Sequence, residues 1–427
     1  MKVLRLVLAL FAISLFLFAA NLQRVQANPG SIYAATNNGV FKSNDGGASW
    51  TSANTGLGGI PVFSLAIDPL NPATLYAGGL FGRVFKSTDA GQNWISASSG
   101  IDDTIILSLA IDPASPSTIY CGTATSMFFP GNGVFKSTDG AQNWTVSNSG
   151  LPVAIIDVVR IDPSNPATLY AGTNFDGVYK STNGGQNWTA ANVGMTPALV
   201  NDVVVDPANS ATLYAGTDSG GVYKSTDGGQ SWASVNSGIT NLRVVSLAVD
   251  PSNSNVLYTG TFLDGVFKSI DAGANWNLVN SGLQNTLSGK DHLPLIIEPV
   301  NPGTVYAGTA TGVFKSTDGG TNWTSANNGF PASTNVFALA IEPAAAPTID
   351  SLIAQVGSLN LNSGVKQGLL AKLRAAQESL VRVNAVAARN QLQAFINAVR
   401  ALERSGRLDP ATASSLVDTA KTIIDAI

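Results

Sequence analysis

The chain has 427 residues with 23 Lys/Arg against 27 Asp/Glu, and only 12% of its residues are charged. A formal charge of −4 excludes the basic surface that a nucleic-acid or anionic-membrane partner would require. The low charge content fits sheets covered on both faces, which leave little surface to decorate.

Lys2 and Arg5 precede an apolar run from Leu6 to Ala20, and Val25-Gln26-Ala27 forms a small-residue cleavage site. This reads as a secretory signal over residues 1–27, too short in its apolar run for a membrane span. Cleavage would leave a mature chain at −7, exported to the medium or a bacterial envelope and without an integral span. Cys121 is the sole cysteine, so no internal disulfide can form.

Residues 28–343 repeat. All seven tryptophans, Trp50, Trp94, Trp144, Trp188, Trp232, Trp276 and Trp323, close a copy of a phrase such as GVYKSTDGGQSW, at spacings of 44, 50, 44, 44, 44 and 47 residues. A second phrase, such as SLAIDPLNPATLYAGG at 64–79, precedes most copies. Each repeat reads as four short strands, exemplified by 62–67, 74–78, 84–87 and a strand starting at Trp94. Four strands per repeat of about 44 residues predict the blades of a β-propeller. The pattern opens on a second strand at Ser31-Ile32-Tyr33 and ends on a first strand, Val336 to Ile341. The expectation is an all-β seven-bladed propeller whose last first strand pairs with the opening second strand, closing the ring and removing sheet edges.

The turn before each tryptophan has the form Ser-x-Asp-x-Gly-x-x-Trp, with Asp45, Asp89, Asp139, Asp227, Asp271 and Asp318 at the acidic position, Asn183 in the remaining copy, and Ala141 replacing one Gly. On these residues the segment from about 30 to 343 resembles the Asp-box (BNR) repeat propellers of sialidases, sortilin and xyloglucanases, with related photosystem II assembly factors. The carboxylates are expected to hold their own turns by accepting backbone N–H bonds two residues on, with Gly supplying positive φ. Tryptophan is expected to cover apolar area between blades. The NWT sequons at Asn143, Asn187 and Asn322 read as by-products of the repeat.

Residues 344–347 form a linker, and 348–427 change to an Ala-, Leu-, Arg- and Gln-rich composition with helical periodicity, as in Leu392, Phe395, Ile396, Val399 and Leu402. Helix starts fall at Ser363 and at Asp409-Pro410. Three or four helices should pack as a small all-α bundle, and the stretch from Ala394 to Leu402 resembles the FIMAH-type module appended to secreted bacterial proteins. That resemblance implies an attachment or accessory role.

Subtracting the repeat leaves little for chemistry. A sialidase would need an arginine triad and a Tyr/Glu pair; Arg83, Arg160 and Arg243 are present, but the tyrosines and glutamates before the linker all belong to the repeat. Xyloglucanase-like action would draw half its cleft from a second propeller. One His and one Cys make no metal centre, and no cofactor is expected. The residues that break the pattern near the first strands are Asp157, Asn201, Asp202, Lys290, Asp291 and His292, joined by Asp102, Asp103 and Arg243. Phe128 and Phe129 sit in an insertion of the third repeat, while Phe81, Phe175, Phe262 and Leu263 lie in other loops on the same face. Arg160 and Asp202 stand where other repeats carry Ala, Ser or Val, so each should have a partner. Aromatics ringed by carboxylates suit a protein or glycan ligand. The expectation is a monomeric, non-catalytic binding propeller; the alternative is a glycoside hydrolase using paired carboxylates from Asp157, Asp202 and Asp291.

Overall fold

The computed structural model describes residues 30–101, 104–124, 132–152, 154–196, 199–283, 293–343, 348–382 and 384–427. It contains two compact units, Pro29–Pro343 and the C-terminal Ala344–Ile427. The first is a seven-bladed β-propeller of seven four-stranded antiparallel sheets.

Blade 4 shows the plan. Its strands Ile156–Ile161, Leu169–Thr173, Val178–Ser181 and Thr189–Ala190 pair in sequence order. The second strand, LYAGT, is buried throughout, because both its faces meet neighbouring blades. The fourth strand of every blade has two residues, both exposed. So short an edge offers little template for pairing with another chain. It starts one residue after the tryptophan, slightly later than the repeat suggests.

The ring closes as the offset ends of the repeat require. Val336–Ile341 is the first strand of blade 1 and pairs antiparallel with Ile32–Thr36. Beyond it Glu342 latches the seam: Ser31 N–H donates to Oε2 at 3.0 Å and Tyr33 Oη–H to Oε1 at 3.2 Å.

Each first strand lies beside that of the next blade, from blade 1 round to blade 7, so these strands ring the axis. In blades 2 to 6 the register slips by one residue near the start of this strand, a β-bulge at Phe63, Leu107, Asp157, Asn201 and Val245. A bulged residue leaves the ladder, which frees its side chain from the repeat's packing rules. The following position ties blades together. Ser64 Oγ donates to Ile106 O at 3.0 Å, Ser108 Oγ accepts from Val159 N–H at 3.0 Å, and Ser246 Oγ donates to Leu293 O at 2.6 Å.

The C-terminal unit holds α1 (Ile349–Ser358), α2 (Ser363–Val381), α3 (Ala385–Arg404) and α4 (Pro410–Ala426). Thr348, Asn362, Asn384 and Asp409 cap their N-termini through side-chain oxygens, satisfying donors a helix cannot. Leu352, Leu373, Leu392, Phe395 and Leu416 are fully buried in its core. Among the described residues no helix is long and apolar enough to cross a membrane.

Candidate functional site

The seven turns before the tryptophans, six of them acidic, are joints between blades. In blade 5, Ser225 Oγ–H donates to Asp227 Oδ1 at 2.8 Å and accepts Gly229 N–H at 2.9 Å. Asp227 Oδ1 takes the N–H of Ser231, four residues on, and Oδ2 takes its hydroxyl. The carboxylate therefore spans the whole turn, rather than bonding two residues ahead. These bonds hold its pKa down at about 2. Asn183 makes the same Oδ1 contacts, so the geometry needs an oxygen and not a charge. The residue before each tryptophan shares in this: Asn143 and Asn322 give their side-chain amides to Asp139 and Asp318 at 2.9 and 2.8 Å. Their sequon positions are explained by that bond.

Two further repeat positions grip the neighbouring blade. Tyr170 Oη–H and Lys180 Nζ–H both donate to Gly228 O in the turn of blade 5, at 3.1 and 2.7 Å, with the ammonium 5.5 Å above the tyrosine ring. All seven blades carry such a tyrosine–lysine pair. Trp232 Nε1–H donates back to Ala191 O of blade 4 at 2.8 Å. Sequence reading missed the lysine, which looks like an ordinary solvated residue until its acceptor in the next blade is known.

The opposite face carries the loops between second and third strands and the connections that feed the first strands. These two sets are stitched together: Asn174 N–H donates to Ile155 O, Asp218 N–H to Leu199 O, Phe262 N–H to Arg243 O and Gly221 N–H to Leu242 O. Phe81, Phe175 and Leu263 project from the loops, 61%, 71% and 52% exposed. Phe81 and Leu263 have φ of 60° and 72°. For a bulky residue that left-handed conformation costs roughly 1–2 kcal/mol, and an apolar side chain in water recovers nothing. Arg243 pairs with Asp218 at 2.5 Å and lies 4.0 Å above the Phe262 ring, which stiffens the loops of blades 5 and 6.

Of the pattern-breaking residues, Asp202 and Asn201 are held by the protein itself. Asp202 stands where Ser64, Ser108 and Ser246 stand, and it too bonds the next blade, accepting Leu247 N–H at 3.0 Å. It also accepts Val203 N–H at 2.9 Å and an Arg160 guanidinium N–H at 2.8 Å. Burial pushes its carboxyl up, against the opposing pull of Arg160 and the two backbone donors. Asn201 gives its amide to Val244 O at 2.7 Å.

Asp157 differs. It occupies the bulge of blade 4, where blade 5 has Asn201. The residue keeps partial exposure, but Oδ2 is sealed from solvent and has no hydrogen-bond partner among the described residues. Desolvation of that oxygen pushes the carboxyl up to about 7. Asp102, Asp103, Phe128, Phe129, Lys290, Asp291 and His292 lie outside the described residues. Among those described, no three His, Cys, Asp or Glu side chains gather as metal ligands would.

No protein-family model matches the chain, and no curated protein matches it either. Solved structures do. A GH74 enzyme from Niastella koreensis is 25% identical with a TM-score of 0.57, covering 69% of this chain and 52% of that one. An ancestral GH74 enzyme is 20% identical with a TM-score of 0.53, covering 70% and 53%. YCF48 bound to D1 peptide is 17% identical with a TM-score of 0.47, covering 62% and 81%. The chain is a seven-bladed propeller like those of GH74 enzymes. It spans about half the length of the GH74 enzymes it matches.

Proposed function

We propose that the chain is an exported Asp-box propeller, with a FIMAH-like helical accessory unit, that holds a protein or glycan partner without chemistry on the face of its second-to-third-strand loops. The observation that carries this reading is the pair Phe81 and Leu263, exposed apolar side chains on positive-φ backbone. Elsewhere the same loops turn on residues suited to them, as in Asn37-Asn38-Gly39 and Ser219-Gly220-Gly221. A loop that only joined strands would gain by exchanging Leu263 for Asn or Gly. Strain kept where it exposes apolar surface marks a binding site. Asp157 and Asn201 stand at the axis-side border of this surface, and Lys290, Asp291, His292, Phe128 and Phe129 are proposed to extend it.

A second reading, glycoside hydrolysis, draws support from the GH74 likeness and from Asp157, whose raised pKa suits a general acid. It needs a second free carboxylate about 5 to 10 Å away. Asp202 is committed to Arg160, Val203 and Leu247. Asp291, the third carboxylate of that reading, lies outside the described residues, so among the described residues the loop-face features favour binding.

The test replaces Phe81, Phe175 and Leu263 together by Ser and screens glycan and peptide arrays with both proteins. Loss of a wild-type ligand at unchanged melting temperature supports the reading. Retention of every ligand, or release of reducing sugar from a bound glycan, overturns it.

A further inference from the structure

The proposed binding face has a charge problem at one point. Residues 30–343 hold 11 Lys/Arg against 21 Asp/Glu, a formal −10. Seven of the cations are the repeat lysines, each bonded to a turn carbonyl on the far face. Of the other four, Arg243 is paired with Asp218 and Arg160 with Asp202, Arg83 lies in blade 2, and Lys290 falls outside the described residues. Among the described residues Asp157 has neither a paired cation nor a hydrogen-bond donor for its sealed oxygen. The charged groups on its own strand and on the strands packed against it are Arg160 and Asp202, already bonded to one another. A bulged strand position is free to carry almost any side chain; other blades use Leu107, Asn201 and Val245 there. An unpartnered carboxyl at such a place serves no need of the fold.

Its surroundings give the shape of a guest. Ile155, two residues before Asp157, exchanges hydrogen bonds with Asn174, the residue next to Phe175. An exposed aromatic ring, the acidic Asp176 and the unpaired carboxyl thus share one end of blade 4. Resting on the loop-face reading above, we infer that Asp157 is the anchor for a cationic side chain of a peptide or protein partner, with Phe175 taking the apolar contact beside it. An ammonium or guanidinium at the part of the carboxylate that keeps exposure supplies the missing charge, so it gains more from this partly desolvated carboxylate than a neutral sugar hydroxyl does. The raised pKa of Asp157 fits this role, because a bound cation would favour the ionised form that burial disfavours.

The probes are acetyl-Phe-Lys-amide, the same dipeptide acetylated on its lysine, and cellohexaose as a neutral glycan. Binding to the full chain is followed by NMR at pH 8 and pH 6, in wild type, in Asp157→Asn and in the triple Phe81/Phe175/Leu263→Ser protein. The expected result is a preference of about tenfold for the lysine probe over its acetylated form at pH 8, smaller at pH 6 and abolished in Asp157→Asn. A lysine probe that fails to bind wild type, equal binding of the two dipeptides, or a preference that survives in Asp157→Asn overturns the inference. So does cellohexaose binding that Asp157→Asn removes. Loss of all binding in the triple variant alone leaves the loop-face reading standing without the anchor. Loss in Asp157→Asn alone keeps the anchor and removes the loops.

Discussion

Asp157 and Asp202 lie on neighbouring strands, and their difference lies in their partners. Asp157 keeps its proton to about pH 7 in the folded chain, whereas an unfolded aspartate ionises near 4. Between these values the folded state binds more protons than the unfolded one, so stability falls as pH rises from about 4 to 7 and levels off above. The fall is on the order of 4 kcal/mol, about three pKa units at about 1.4 kcal/mol each. Asp157→Asn should remove that slope and be the more stable protein at pH 8, as urea titrations across the range would show; a parallel fall in the variant would refute the assignment. Asp202, which burial also pushes up, differs in being tied to a cation and two backbone donors. Arg160→Ala should cost about 2–3 kcal/mol by leaving a buried carboxylate with two backbone donors and no cation. Adding Asp202→Ser should restore much of it, because Ser makes the cross-blade bond at the equivalent position of blades 2, 3 and 6. Strictly additive losses in the double variant would mean that the pair is not coupled.

At the scale of the element, each turn is a joint whose parts come from two blades. Trp232→Ala removes a 5%-exposed side chain and its bond to Ala191, and should cost about 3–5 kcal/mol. Asp227→Ala should cost about 1–2 kcal/mol, but Asp227→Asn much less, since Asn183 already does this work in blade 4. Thermal melts of the three variants would order them; a large loss in Asp227→Asn would show that charge matters after all. The blades, the closure and the role of the acidic turns were legible in the sequence because a 44-residue period repeats each local signal seven times. What stayed hidden joins positions in different blades. Lys180 bonds a carbonyl 48 residues on, and Asp202 an N–H 45 residues on. No local pattern marks either. Asp157 and Asp202 were read as one group of pattern-breaking acids, yet only the cross-blade geometry separates the satisfied carboxylate from the unsatisfied one. Leu263 did leave a local trace, a bulky residue where a sister loop turns on Ser219 and Gly220.

For the whole molecule the decisive joint is the seam of blade 1. The strand Ile32–Thr36 is fully buried between Val336–Ile341 and Gly39–Ser43. Phe330 lies 4.8 Å from Trp50, stacked against it, and Glu342 holds Ser31 and Tyr33. Ending the chain at Ala346 removes the helical unit, whose core is its own, and keeps every one of these contacts. That chain should fold to a propeller and melt cooperatively near the full-length temperature. Ending at Phe330 keeps the ring stack but removes the closing strand, exposing a five-residue apolar edge with unpaired N–H and C=O groups. An open edge of that kind recruits other chains, so the shorter protein should melt at a much lower temperature and run as oligomers or aggregates by size exclusion. The contrast isolates the closing strand with its Glu342 latch, since the two proteins differ by only 16 residues. Matching melts and a matching monomer peak for the two proteins would show that the ring does not depend on its seam.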